Sequence, residues 1–356
     1  MSLEELRKKI DEVDAEIISL LGRRIELAGK IGKEKASTGL PVYAPQREEE
    51  VLKRVAEIAR SYNISPEVAR RVYGEILKAS RAVQGMVVAF QGELGAYSEE
   101  AAYQFFSPAI KPLPCEKLED VFDSATQGQS NYGIIPVENS LEGSISKSYD
   151  LLLESDLVVS GEVELRISHC LIANPGASLD SIKKVYSHPQ ALGQCQTFLK
   201  HLGAELVPTY DTAGSVKMVR EMGITAVAAI ASRHAAEMYG LNILRAEIED
   251  STNNYTRFFI IGREYSPPTG KDKTSVVFSV KHRPGSLASF LDELAGRGIN
   301  LTKIESRPTR QKPWEYNFYL DFEGHIKDDI VREALEKAEE QTIFFKVLGS
   351  YPKARK

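Results

Sequence analysis

The sequence predicts a multidomain fold of three parts in succession: an all-α region, an α/β region and a small α+β module. Three observations carry that reading. In residues 1 to about 84 the apolar positions recur at helical spacing only. From 86 to about 264, short β-branched runs alternate with helical stretches, the texture of a sheet covered by helices. After the polar joint Ser266-Pro-Pro-Thr-Gly-Lys-Asp-Lys273 the order becomes strand, helix, strand, strand, helix, strand, which is ferredoxin-like. At 356 residues the chain has room for two or three domains that each bury a core.

Composition narrows the function classes. The 45 basic and 50 acidic residues leave a formal charge of −5, which weighs against a protein that coats nucleic acid. Small anionic substrates need only a local basic pocket and remain open. The start, MSLEELRKKIDEVDAE, is charged throughout and does not read as a signal peptide. The longest apolar run, about Ile224 to Ala231, falls far short of the ~20 residues that span a bilayer. Cys115, Cys170 and Cys195 form no CxxC pair, and the histidines form no HExxH or H-x-H pair. These features predict a cytoplasmic protein that uses no metal and contacts neither nucleic acid nor membrane.

In the first region Leu3, Leu6, Ile10, Val13, Ile17 and Leu20 share one helix face. Continued by sevens, the series 3, 10, 17 puts Arg24 in that apolar seam, ahead of Ile31. A cation there costs free energy unless a carboxylate or an anionic ligand meets it. Glu26 or another helix could supply the partner. The segment Gly39-Leu-Pro-Val-Tyr-Ala-Pro45 breaks the helix, a second starts near Gln46, and a third starts at Ser65-Pro66. On the third, Ser80 and Gln84 share a face.

Residues 3 to 84 resemble the all-helical chorismate mutase family without a gap. The resemblance implies a site made of Arg7, Arg24, Lys35, Arg47, Glu48, Ser80 and Gln84. Ala44 stands where the family usually has aspartate. Chorismate to prephenate is an intramolecular rearrangement, so no nucleophile or base is required. What it requires is a dicarboxylate held in its diaxial conformer and donors on the breaking ether oxygen. Arginines suit the first task through paired donors. Lys35 and Gln84 suit the second, and Glu48 can accept from the ring hydroxyl. At 1.5 Å per residue, Arg7 lies roughly 25 Å along a continuous helix from Arg24 and about 40 Å from Lys35. If all three serve one site, Arg7 comes from a second, antiparallel chain, and the region is an intertwined homodimer.

In the central region Val87–Phe90 reads as a strand that leads into Gly92-Glu-Leu-Gly-Ala-Tyr-Ser98 and a helix. This loop lacks the GxGxxG of a dinucleotide site. Tyr132–Val137 empties into Glu138-Asn139-Ser140. Val185–Ser187 leads into His188-Pro189-Gln190 and a helix that carries Gln194. Asn253-Asn254-Tyr255-Thr256-Arg257-Phe258 enters the strand Phe259–Ile261. Polar loops at strand ends are where α/β proteins place ligands, although each alone could be turn chemistry.

Taken together, GELGAYS, IPVENS, SHPQALGQC and NYTRF stand in the order and spacing of the prephenate dehydratase family, which this region resembles over its whole length. The resemblance implies two α/β lobes like a periplasmic binding protein, a middle lobe at about 167–240, and a site in the cleft. The ring of prephenate becomes aromatic when its carboxylate leaves as carbon dioxide and its C4 hydroxyl leaves as water. Hydroxide departure is the difficult element, so a donor near that oxygen is required. Thr256 is the expected donor and Arg257 the expected carboxylate clamp. Glu138, Asn139, Ser187 and Gln194 are expected to orient substrate, with Ser98 beside them. His188 reads as part of a His-Pro turn.

The C-terminal module resembles the ACT domain, which senses amino acids. Gly285, Ser286 and Leu287 match the family's first effector loop, with Ser286 where alanine is usual. Glu305, Ser306, Arg307 and Pro308 match the second. The reading that follows is an all-α chorismate mutase domain at 1–85, a two-lobed prephenate dehydratase domain at 86–265 and an ACT domain at 272–356. Such a chain takes chorismate through prephenate to phenylpyruvate under inhibition by L-phenylalanine. No cofactor is implied, and the expected assembly is a homodimer or a dimer of dimers. Two alternatives stand: a non-catalytic two-lobed binding protein, and a dehydratase whose helical arm only dimerises.

Overall fold

The structure, a computed structural model, describes residues 2–38, 44–108, 110–309 and 315–354, with the side chains at 36–38, 45 and 82 outside that description. It divides into two compact units, residues 1–88 with 106–111, and residues 89–105 with 112–356.

The first unit is built from α1 (Leu3–Thr38), α2 (Pro45–Ser61) and α3 (Pro66–Val83). Proline opens α2 and α3 because its fixed φ suits a first helical turn. Ala44 caps α2 through its backbone alone, its carbonyl accepting from Glu48 N at 3.0 Å. The break expected at Gly39–Pro45 falls mostly on residues 39–43, outside the described residues. α1 runs unbroken for 36 residues, and α3 covers only its C-terminal part. Ala28 is buried there, whereas Leu3, Ile10 and Ile17 expose 66%, 59% and 48% of their surface. Gly32 allows the close crossing with α3, since a Cβ at that position would stand 2.7 Å from the Cα of Gln84.

Among the described residues the second unit contains three sheets. The first lobe holds β1 (Val87–Gln91), α4 (Tyr97–Phe106), β2 (Lys111–Cys115), α5 (Leu118–Gln127), β3 (Tyr132–Asn139), β4 (Gly143–Ser144), α6 (Ser146–Glu154) and β5 (Val158–Arg166). The chain then builds the second lobe. It contains β6 (Cys170–Ala173), β7 (Lys184–Ser187), α7 (Pro189–Gln194), α8 (Gln196–Leu202), β8 (Glu205–Pro208), α9 (Thr212–Met222), β9 (Val227–Ala231), α10 (Arg233–Tyr239) and β10 (Asn242–Arg245). Finally β11 (Tyr255–Gly262) returns to the first lobe, between β3 and β5, giving the order β2-β1-β3-β11-β5. The second sheet is ordered β10-β6-β9-β7-β8. The two-lobed α/β layout expected from the motifs is therefore present.

The third sheet belongs to the C-terminal module. It holds β12 (Asp272–Val280), α11 (Ser286–Ala295), β13 (Leu301–Pro308), β14 (Tyr316–Glu323), α12 (Asp329–Glu339) and β15 (Thr342–Pro352), ordered β13-β14-β12-β15. Trp314, which precedes β14 in the sequence, lies outside the described residues.

Alternation along the module's strands decides what each face does. Val276, Phe278, Leu320 and Phe322 pack under α11 and α12. Val277, Tyr319, Leu348 and Tyr351 point the other way and join one continuous core with Ile135, Val137, Phe259 and Ile261 of the first lobe. Each such fully buried large side chain contributes roughly 1.5–3 kcal/mol. Gly349 permits β15 to lie against β5, because a Cβ there would fall 2.1 Å from the carbonyl oxygen of Val159.

Candidate active sites

In the helical unit, the last turn of α3 gathers the charged groups. Arg24 on α1 donates to Ser80 Oγ, and that hydroxyl donates to Ile76 O at 2.7 Å. The cation in the apolar seam thus meets Ser80, while Glu26 pairs instead with Lys30 one turn along. Arg81 Nη1 donates to both oxygens of Glu48, at 2.7 and 2.6 Å. Burial lowers the pKa of Lys35, and the Glu48 carboxylate opposes that shift, so the ammonium lies in the field of Glu48. Gln84 Oε1 is buried without a hydrogen-bond partner among the described residues.

Five predicted residues therefore cluster around one helix end: Arg24, Lys35, Glu48, Ser80 and Gln84. Arg47 stays on the exposed face of α2, paired with Glu50 at 2.9 Å. Arg7 lies near the far end of the unbroken α1 and is not joined to the cluster by a contact among the described residues. Arg81 was not singled out from the sequence. Its signal was available, since Leu77, Ser80, Arg81 and Gln84 keep the 3-4 spacing of an inward face.

In the second unit, the strand-end motifs meet between the two lobes. Asn139 at the end of β3 and Thr256 near the start of β11 are register partners. Asn139 Nδ2 donates to Thr256 Oγ1 at 3.0 Å and to Asn254 Oδ1 at 2.8 Å. Asn254 Nδ2 donates to Gln194 Oε1 at 2.8 Å, which joins the first lobe's motif to the second lobe's α7. Gln194 Nε2 in turn donates to Glu142 at 2.9 Å. Leu141 N and Glu142 N fix the Asn139 amide from its oxygen end, at 3.0 and 3.2 Å.

The direction of these bonds matters chemically. The oxygen of Thr256 accepts from Asn139, so its own proton is left to be donated. Gln194 Oε1 already accepts from Asn254 and stands 3.0 Å from His169 Nε2, so that nitrogen carries the proton. Burial pushes the pKa of His169 down, against the opposing hydrogen bond to Gln194 and the charge of Glu249. Its Nδ1 lies 2.9 Å from the Tyr97 hydroxyl.

Asn254, His169 and Tyr97 belong to the site and were not singled out from the sequence. Asn254 stands inside the NYTRF motif. Tyr97 stands inside the GELGAYS motif. His169 gave no comparable signal, because a lone His beside a strand reads as ordinary packing.

Two of the expected residues face away from this cleft. Arg257 was expected to clamp a substrate carboxylate, but strand alternation turns it away from Thr256. Its Nε donates to Glu162 at 2.8 Å, its Nη1 to Asp321 at 2.6 Å and its Nη2 to the Tyr351 hydroxyl at 3.1 Å. Glu138 was expected to orient substrate. As the register partner of Arg257 it also faces the C-terminal module and pairs with Lys303 at 3.1 Å. Ser187 is at the expected strand end, buried, with its hydroxyl donating to Ile230 O at 2.7 Å. Ser98 is buried at the start of α4. His188 caps α7, its Nδ1 accepting from Gln190 N at 3.3 Å, the structural role expected of it.

In the C-terminal module, Gly285 takes φ 85° to turn the chain into α11, a conformation that favours glycine. Ser286 and Leu287 form the first turn of that helix. On β13 the motif divides between faces. Glu305 accepts from the Ser144 hydroxyl, and Arg307 pairs with Asp150 at 3.0 Å, so both hold the first lobe. Ser306 and Pro308 lie on the exposed face.

Three family models match this chain: chorismate mutase type II at residues 6–85, prephenate dehydratase at 88–266 and the ACT domain at 274–340. A bifunctional chorismate mutase/prephenate dehydratase from Aquifex aeolicus is 40% identical over 359 aligned positions, covering 99% of this chain and 98% of that one. Two solved structures each cover 75% of this chain with a TM-score of 0.69. One, described as GqqA, a quorum quenching acylase, is 36% identical and covered over 97% of its length. The other, prephenate dehydratase from Arthrobacter aurescens in complex with L-Phe, is 32% identical and covered over 90%. The chain belongs to the family of bifunctional chorismate mutase/prephenate dehydratases.

Proposed function

We propose that this protein rearranges chorismate to prephenate in its helical unit and converts prephenate to phenylpyruvate between its two α/β lobes, under inhibition by L-phenylalanine. The observation that carries the reading is the hydrogen-bond polarity at Thr256. Asn139 donates into its oxygen, so the hydroxyl proton can be delivered to the C4 oxygen of prephenate. As the C1–carboxylate bond breaks, its electron pair moves into the ring and the C4–oxygen bond opens. The departing hydroxide takes the proton and leaves as water. Threonine is a weak acid, so Thr256 serves as a positioned donor whose proton is restored from solvent.

The mutase reaction asks only for charge and fit. Arg24 grips a carboxylate, Lys35 and Gln84 donate to the ether oxygen, and Glu48 accepts from the ring hydroxyl. Gln84 Oε1, without a hydrogen-bond partner among the described residues, marks a buried polar face with capacity left for a ligand. Arg7 completes the site from a second chain. The apolar stripe Leu3, Leu6, Ile10 and Val13, exposed along α1, supports an intertwined homodimer. Arg47, on the exposed face of α2, joins the site through that dimer, and the assembly is a homodimer or a dimer of dimers. The working compartment is the cytoplasm.

In the effector module, Gly285, Ser286 and Leu287 with Ser306 and Pro308 receive L-phenylalanine. The test is a coupled assay that follows phenylpyruvate from chorismate, with and without L-phenylalanine. Formation of phenylpyruvate that phenylalanine suppresses supports the reading. Turnover of added prephenate without turnover of chorismate would reduce the helical unit to a dimerisation arm.

A further inference from the structure

The two strands that carry the catalytic amide and hydroxyl have outer faces bound to the C-terminal module. The register pairs Thr256 with Asn139 and Arg257 with Glu138. The neutral pair faces the cleft and the charged pair faces the module. On the module's side, Arg257 is tied to Asp321 and Tyr351, and the Ser275 hydroxyl joins those two at 2.6 Å each. Glu138 is tied to Lys303 of β13 at 3.1 Å. Lys303 also donates to Ser144 Oγ at 2.6 Å and lies 5.2 Å from the centre of the Tyr149 ring. Its neighbours on the opposite face of β13, Ile304 and Ser306, are exposed. One strand therefore has a proposed effector residue on one face and, on the other, a cation fastened next to Asn139.

We propose that Lys303 is a positioning residue for the dehydratase: its ion pair with Glu138 holds β3 so that Asn139 presents its amide to Thr256, and it carries a ligand-induced change in β13 to the cleft. The inference rests on the functional reading above, in which Thr256 is the donor and the module the phenylalanine sensor. Glu138 and Asn139 are adjacent on one strand, so a backbone shift at one moves the other. A 3.0 Å hydrogen bond weakens steeply as its angle and length depart from ideal, and displacement of about 1 Å at a catalytic group can cost ~100-fold in rate. Sub-ångström motion of β13 is therefore enough. The shared core beneath these strands transmits that motion, because packed interiors shift as units and do not absorb it.

Lys303→Met is the informative variant. It keeps the aliphatic stem on Tyr149 and leaves Glu138, whose side chain is 35% exposed, within reach of water. Asp321→Asn, by contrast, would disturb the buried Arg257. In the full chain, prephenate turnover is measured with and without L-phenylalanine, beside calorimetric phenylalanine binding and a melting curve. Lys303→Met is expected to lower kcat about tenfold with KM within about threefold. It should bind phenylalanine within about threefold of the native protein, yet lose nearly all inhibition at saturation. Lys303→Arg should restore both properties, and Glu138→Gln should reproduce the loss from the other side of the pair. Native kcat and native inhibition in both charge-removing variants would overturn the inference, as would loss of phenylalanine binding together with inhibition. If the native protein neither dehydrates prephenate nor binds phenylalanine, the functional reading falls and this inference with it. If it does both and Lys303→Met is indifferent, only the inference falls.

Discussion

The helical cluster and the interlobe cleft use opposite chemistries. Around the end of α3 most of the gathered groups are charged, Arg24, Lys35, Glu48 and Arg81, beside the neutral Ser80 and Gln84. Between the lobes they are neutral amides and a hydroxyl linked in one chain, Gln194 to Asn254 to Asn139 to Thr256. The difference follows from what each proposed reaction demands. A rearrangement with no proton transfer needs a folded dianion held still, and formal charge grips a dianion strongly. A leaving hydroxide needs one donor correctly aimed, and a fixed run of neutral hydrogen bonds aims it without the cost of burying ions. Arg257 and Glu138 are instead turned to the back of these strands, where they bind Asp321, Glu162 and Lys303.

The largest test of this contrast is Thr256→Ala, expected to lower prephenate turnover by about 10²–10⁴ with little change in KM. Thr256→Ser should retain much of the activity. Equal rates in the two variants would show that the hydroxyl has no part in the chemistry.

Arg257→Met sharpens the same comparison from behind. Glu162 would keep only Lys273 as its cation, and Asp321 would lose its own, a change expected to cost about 3–5 kcal/mol of stability. The melting temperature should drop strongly while the residual enzyme keeps its prephenate KM. A large rise in KM with native stability would return Arg257 to the cleft.

For the helical unit, Arg24→Ala should reduce chorismate rearrangement by ~100-fold or more and leave dehydration of added prephenate intact. Retained mutase turnover would make the Arg24–Ser80 contact a seam support only. Mixing Arg7→Ala with Lys35→Ala chains should then restore about a quarter of the sites, because half of the dimers are mixed and one of their two sites has both groups. No recovery after proven subunit exchange counts against a shared site.

The smallest effect concerns the contact between α4 and α10. Burial raises the pKa of Glu99, but hydrogen bonds from His234, Gly95 N and Tyr103 outweigh it and hold it low. His234, 3.2 Å away, has its pKa raised chiefly by that bond. A raised folded-state value means the stabilisation is complete below the ordinary imidazole pKa of about 6.5 and is lost as pH climbs through the folded value. The native protein should melt slightly lower as pH rises across that window. His234→Gln should flatten the slope, and an unchanged slope would assign the titration elsewhere.

Much of this molecule could be read from residue order. Apolar spacing gave α1, Ser65-Pro66 gave the start of α3, and the strand-end motifs named Asn139, Gln194 and Thr256 from residue order alone. These signals are local: spacing, turn residues and caps act over a few positions and are written directly in the chain. Arg81 was also legible in the inward spacing of α3 and was overlooked because a buried arginine reads as a surface residue until its carboxylate is known.

The sequence alone set Thr256 and Arg257 side by side in a motif that enters a strand; the structure starts β11 at Tyr255, and alternation in that extended backbone puts the two on opposite faces. Only the tertiary structure decided which face looks into the cleft. That choice depends on what packs behind β3 and β11, namely a module whose strands begin at Asp272. In the same way His169 and Tyr97 acquire a role only when the fold brings α4, β6 and α7 together. Side-chain chemistry is fixed by sequence, but the partner that gives it direction is set by contacts between residues far apart along the chain.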